Sequence, residues 1–175
     1  MRSFRSLSEQ TGMIGWLWLS AVVIAVDQLT KWMAEANLEP GQSFAVMPHL
    51  NMTLTYNMGA AFSFLGTQGG WQRWFFAILA IIVSIFIINW LRKLRKRQVW
   101  TAVGLALVLG GAIGNLIDRL LYGKVIDFVD FYVNFDVPFI LNGGHFAIFN
   151  VADIAITVGA VLLVILSLFS SEQME

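Results

Sequence analysis

Two aspartates, Asp127 in Val125-Ile126-Asp127-Phe128-Val129-Asp130 and Asp153 in Phe149-Asn150-Val151-Ala152-Asp153, are the residues of this chain best suited to do chemistry. Two carboxylates that share a site cannot both ionise easily, so one keeps a proton while the other serves as a base. The ionised group takes a proton from an attacking water. The protonated one hydrogen-bonds a peptide carbonyl and then helps to protonate the leaving amine. Such a pair titrates as a unit. Read alone, Asp153 could equally be a helix cap, because an acid at a helix start meets the positive end of the macrodipole. Asn150, three residues earlier, shares its face on a helix.

Other polar residues sit beside the pair. Asp27 closes the first apolar run, and Asn115, Asp118 and Arg119 close the third. If the runs alternate in direction, all of these meet at one membrane depth, where ionisable groups are costly and mark function by default. Arg119 could pair with a carboxylate or hold a substrate carbonyl with its planar fork, or snorkel to headgroups. Asn115 lies on the same face, four residues before it. Asp27 and Lys31 have the spacing of a helical ion pair, read as an anchor for the first span. Asn57 precedes the small residues Gly59, Ala60 and Ala61, which would let a peptide backbone approach closely; a plain turn would look the same.

The elements that must position these groups are membrane spans. The chain has 175 residues, of which 58% are hydrophobic and 13% charged, against about a quarter charged in a soluble domain. Its mean hydropathy is +0.72. Spans are expected at about 13–33, 74–91, 98–119 and 150–170, each long enough for a ~30 Å hydrocarbon core. Arg92, Lys93, Arg95, Lys96 and Arg97 crowd one short loop, and Arg2 and Arg5 precede the first span. By the positive-inside rule both termini are cytoplasmic, and segments 34–70 and 121–149 lie outside. The seven tryptophans fall near predicted span ends, as in an aromatic belt. Ala34-Glu35-Ala36 resembles a signal-peptide cleavage site, but Asp27, Lys31 and Trp32 separate it from the apolar run, so the first helix is expected to be retained.

Residues 1–175 read as a single integral membrane domain. In segment 34–70, Met52-Thr53-Leu54-Thr55-Tyr56 alternates like a strand, with Phe44 to Met47 as its partner, predicting a small β-unit on the membrane surface. The aromatics of segment 121–149 suggest a loop or helix in the interface. Gly104, Gly110, Gly111 and Gly114 predict close helix packing around the third span. The absence of cysteine excludes thiolate catalysis and cysteine-ligated metals, and His49 and His145 make no metal-site pattern. No metal or cofactor is expected, and the basic cluster is read as a topology signal rather than a nucleic-acid site.

Five blocks in order resemble the lipoprotein signal peptidases (signal peptidase II). They are Asp27-Gln28-Leu29-Thr30-Lys31; Asn57-Met58-Gly59-Ala60-Ala61-Phe62-Ser63; Gly111 through Asn115 to Asp118-Arg119; Val125-Ile126-Asp127-Phe128; and Phe149-Asn150-Val151-Ala152-Asp153. The resemblance implies an α-helical membrane enzyme: four transmembrane helices, a small extracytoplasmic β-cradle and an interfacial helix or loop, in the bacterial cytoplasmic (inner) membrane. It implies an aspartic endopeptidase with Asp127 and Asp153 as the catalytic dyad at the outer-leaflet boundary. Asp27, Lys31, Asn57, Gly59, Asn115, Asp118, Arg119 and Asn150 would bind substrate or support the site. The implied substrates are diacylglyceryl-modified prolipoproteins, cut just before the lipidated cysteine. Membrane lipid is the surrounding partner, and a monomer is expected. Two other readings compete: a small transporter or proton relay using the acids, and a non-catalytic membrane subunit. A relay needs polar groups through the membrane depth, and the middles of spans two and four offer only Ser84, Thr157 and Ser167.

Overall fold

The computed structural model describes residues 12–59, 70–133 and 146–171. Among the described residues, four helices are long and apolar enough to cross a membrane. Helix α1 (Leu17–Asn37) follows a single 3-10 turn at Ile14–Trp16; α2 spans Trp71–Lys93, α3 Val99–Leu121 and α4 Val151–Ser171. Strands β1 (Ser43–Met47) and β2 (Leu50–Asn57) lie between α1 and α2, and β3 (Val125–Phe131) follows α3. The strands form one antiparallel sheet in the order β1-β2-β3.

Local chemistry sets the boundaries. Helix α1 stops where Leu38 turns extended, two residues before Pro40, which cannot continue a helix. Arg92 and Lys93 occupy the last turn of α2, where cations favour the negative end of the helix dipole. Helix α3 ends with the Tyr122 N–H bonded to the Asp118 carbonyl at 2.7 Å. Gly123 follows at φ 77°, a left-handed conformation that glycine adopts without the usual steric cost. That reversal sends the chain straight into β3.

Helix α3 is the axis of the bundle, and its glycines set the spacing. A Cβ on Gly110 would lie 2.7 Å from the Cβ of Val23 in α1, and one on Gly111 would overlap the Ala152 carbonyl oxygen in α4. In lipid, where apolar surfaces gain nothing by leaving the solvent, such contact supplies much of the association energy. The lipid-facing sides are apolar: Trp74, Ile78, Ile82, Ile85 and Phe86 on α2, and Val158, Val161, Ile165 and Leu168 on α4, are exposed.

Strand β3 was not evident in the sequence. Asp127 and Asp130 interrupt its apolar residues, and all of it but Phe131 is buried or half-buried, so it shows no alternation. Phe128 is accordingly not an interfacial aromatic; it packs with Ala34, Leu54 and Ile126 beneath the sheet. Residues 134–145 of segment 121–149, on which the expected interfacial helix or loop would fall, lie outside those described.

Candidate active site

The site forms where α1, α3, β3 and the start of α4 converge. In β3, Asp127 pairs with Thr55 of β2. Beyond the β3 strand, Phe149 forms an isolated bridge with Val129, its N–H bonded to the Val129 carbonyl at 3.1 Å. This bridge brings Asn150 beside Asp127 immediately before α4 begins.

Asn150 then performs two tasks. Its Oδ1 accepts the Asp153 N–H at 2.9 Å while Asp153 Oδ2 accepts the Asn150 N–H at 3.2 Å. This reciprocal arrangement is a capping box that satisfies two donors at the head of α4. The Asn150 Nδ2 meanwhile donates to Asp127 Oδ1 at 2.6 Å and to Asn115 Oδ1 at 3.1 Å. One side chain therefore bridges the two aspartates. Asp153 helps to cap α4 and also belongs to the cluster.

Asn115 completes the bridge from α3, donating from Nδ2 to Asp153 Oδ1 at 2.8 Å. Asn57 hydrogen-bonds Asp127 while its own Oδ1 accepts the Gly59 N–H at 3.0 Å. It makes both a turn and a site contact. Arg119 does not snorkel away. It donates to the Asn115 carbonyl at 3.2 Å and the Gly59 carbonyl at 3.1 Å, with its guanidinium 5.2 Å from the Phe76 ring centroid.

Behind this layer lies an ionic cluster. Lys31 Nζ is 2.8 Å from both Asp27 Oδ2 and Asp118 Oδ2 and donates to Asn115 Oδ1 at 3.0 Å. Lys31 is 1% exposed, and Asp27 and Asp118 are fully buried. Asp27 and Lys31 thus form the expected pair, but as part of a triad across two helices. Asp27 Oδ1 also accepts the Ala152 N–H at 2.9 Å, and Asp118 Oδ2 accepts the Ile126 N–H at 3.2 Å. Gln28, which sequence reasoning did not single out, donates to Asp118 Oδ1 at 2.8 Å and to the Gly114 carbonyl at 3.2 Å. A polar amide next to Asp27 within an apolar run was the available signal.

Asp127 is 2% exposed. Burial first, and then the negative charge of Asp153, push its carboxyl up from the ordinary 3.8 to about 7, against the opposing pull of the Asn57 and Asn150 hydrogen bonds and the Lys31 charge. A cavity of about 450 Å³ opens beside Asp153 and beside Asn57, the hydrogen-bond partner of Asp127. Asn57, Asn115, Arg119 and Asp153 make its polar side, and Phe146, Phe149, Ile154 and Val158 its apolar wall. Two bridged carboxyls, one of them pushed up by burial, thus lie next to a cleft that is polar on one side and apolar on the other.

A family model described as signal peptidase (SPase) II matches residues 19–169. A lipoprotein signal peptidase of Hydrogenovibrio crunogenus is 53% identical over 148 residues, covering 85% of this chain and 81% of that protein. One of Pseudomonas aeruginosa is 47% identical over 166 residues, covering 94% of each. A bacterial membrane enzyme determined by the in meso method at 2.3 Å resolution superposes with a TM-score of 0.78 at 32% identity, over 92% of each chain. Matched along nearly its whole length in sequence and in fold, this chain belongs to the signal peptidase II family.

Proposed function

We propose that the chain is a membrane aspartic endopeptidase that removes signal peptides from diacylglyceryl-modified prolipoproteins, with Asp127 and Asp153 as its dyad. The observation that carries this reading is the Asn150 bridge. It ties the buried Asp127 to Asp153, which lines a cavity with one polar side and one apolar wall.

The scissile carbonyl enters between the cavity's polar groups. Asp153, half-buried at the cavity wall, takes a proton from water as that water attacks. Asp127, more deeply buried, donates to the carbonyl oxygen and later helps to protonate the amine that leaves. Arg119, Asn115 and Asn57 line the cleft and orient the peptide. Ile154 and Val158, both exposed on α4, offer the substrate's apolar signal helix a packing surface.

The basic loop between α2 and α3 sets the orientation: both termini face the cytoplasm and the dyad sits at the outer-leaflet boundary. There the scissile bond of a lipid-anchored cysteine is met without lifting the chain into water. A monomer suffices, because every group used here comes from one chain.

Cleavage of a diacylglyceryl prolipoprotein by purified protein in detergent, beside its unlipidated form, tests the reading. Only the lipidated substrate is expected to be cut, and Asp127→Asn and Asp153→Asn to remain folded without cutting it. Substantial turnover by either variant overturns the dyad assignment. Equal cleavage of both substrates overturns the lipid requirement.

A further inference from the structure

An ammonium has three donors and no acceptor, and Lys31 commits all three: to Asp27 Oδ2, Asp118 Oδ2 and Asn115 Oδ1. The atom of residue 115 that faces Lys31 must therefore be an acceptor, which fixes the amide with its oxygen inward and its nitrogen outward. That nitrogen meets Asp153 Oδ1 at 2.8 Å. The other Asp153 oxygen accepts the Asn150 N–H. Both oxygens of Asp153 are thus met by N–H donors, which offer no acceptor for a proton on that carboxyl.

We propose that Lys31 is a positioning residue for hydrolysis, acting through Asn115: it locks the amide so that the dyad's negative charge rests on Asp153 and its proton on Asp127. The proposal rests on the reading of Asp127 and Asp153 as the catalytic pair. Among the described residues, the charged or titratable groups around that pair are Asp27 and Lys31 from α1, Asp118 and Arg119 from α3, and the two aspartates themselves, from β3 and α4. Asp27 and Asp118 are each paired directly with Lys31. Arg119 attracts both members of the dyad, Asp153 more strongly than Asp127, and so acts in the same direction as the amide. The Asn115 amide nitrogen touches only Asp153 of the two.

The test is the pH dependence of cleavage by Lys31→Gln/Asp118→Asn, a double variant that leaves the buried cluster's net charge unchanged. The acidic limb of kcat/KM is expected to move up by about one pH unit, with kcat down at least about tenfold and KM within about twofold. Limbs that stay in place while activity falls equally at every pH would show a merely structural role and overturn the proposal. If the double variant does not fold, Asn115→Asp carries the test. It keeps an acceptor toward Lys31 and replaces the donor toward Asp153 by an oxygen, so the acidic limb must again rise; an unmoved limb refutes the proposal. Asp153→Asn run alongside separates the two levels. If that variant still cleaves, the dyad itself is wrong; if it is dead and both acidic limbs are unmoved, only the role of Lys31 fails.

Discussion

Replacing Gly111 by alanine puts a methyl group against the backbone of α4. Its Cβ would overlap the Ala152 carbonyl oxygen and lie 2.7 Å from Ile156 Cγ1 and 3.1 Å from the Ala152 carbonyl carbon. Ile156 can turn away, but a backbone carbonyl in the first turn of a helix cannot. Ordinary carbon contacts begin near 3.5 Å, so α4 must retreat by roughly 1 Å. Gly111 and Asn115 are four residues apart on one face of α3, and Ala152 precedes Asp153, so the gap opens at the site. The 2.8 Å bond from Asn115 to Asp153 would stretch to roughly 3.8 Å and cease to be a hydrogen bond. A misplacement of this size costs about 10²-fold in rate, and the overpacking about 1–3 kcal/mol in stability. The measurement is kcat on lipidated substrate together with the thermal midpoint in detergent. Two further glycines grade the effect. Gly104→Ala meets a yielding Leu163 side chain at 2.9 Å and the Gly159 carbonyl at 3.2 Å, and Gly15→Ala meets nothing within 4 Å. The order of damage should be Gly111, then Gly104, then Gly15. A Gly111→Ala enzyme with unchanged midpoint and near-native kcat would refute the view that glycine packing sets the dyad's geometry.

Asp127, raised to about 7, binds its proton more tightly folded than unfolded. Its contribution to stability is therefore complete below 3.8 and lost as the pH rises through about 7. The whole loss is on the order of 4 kcal/mol, spread from 3.8 to about 7, so thermal midpoints of the wild type should fall across that range and level off above it, while those of Asp127→Asn fall less. Cleavage should fail on the alkaline side near the same pH as the proton is lost; a flat profile from pH 6 to pH 9 would contradict this. Asn150→Ala should cost about 1 kcal/mol for the lost cap and a further 1–3 kcal/mol for the unmet Asp127 oxygen, with cleavage abolished. Asn150→Ser should restore the cap's share of stability and not the rate, and equal recovery of both would argue against the bridge. Arg119→Lys loses the fork that spans the Asn115 and Gly59 carbonyls, so kcat/KM should drop by about tenfold with little change in midpoint.

The meeting of Asp127 and Asp153 was legible because the two acids interrupt otherwise apolar sequence, and Asn150-x-x-Asp153 carries the spacing of a capping box. The β1–β2 hairpin was legible from the alternation of Met52 to Tyr56. Strand β3 was not, because a strand covered on both faces shows no period of two: Val125, Ile126, Asp127 and Phe128 are all buried. The triad was half legible. Asp27 and Lys31 share a helix, so their spacing reveals them. Asp118 joins from 87 residues further along than Lys31, and that meeting depends on how α1 and α3 are rotated about their axes. No local pattern records this rotation. Gln28 carried a local signal as a polar amide in an apolar run, but its partner Asp118 was hidden for the same reason.

That rotation is what the buried ions decide. A helix surrounded by lipid gains little by turning one apolar face inward rather than another, since lipid tails are as apolar as the neighbouring helix. Polar contacts break the tie. Asp27 binds the Ala152 N–H of α4, Lys31 binds Asp118 and Asn115 of α3, and a register in which either faced lipid would strand a charge in hydrocarbon. A buried triad is no strong source of net stability, because desolvation offsets most of the attraction. Its effect is to leave α1, α3 and α4 one mutual arrangement in which every charge is met. That arrangement is also the one that sets Asn115 against Asp153. Helix α1 supplies no atom to the dyad, yet it determines where the dyad's partners point.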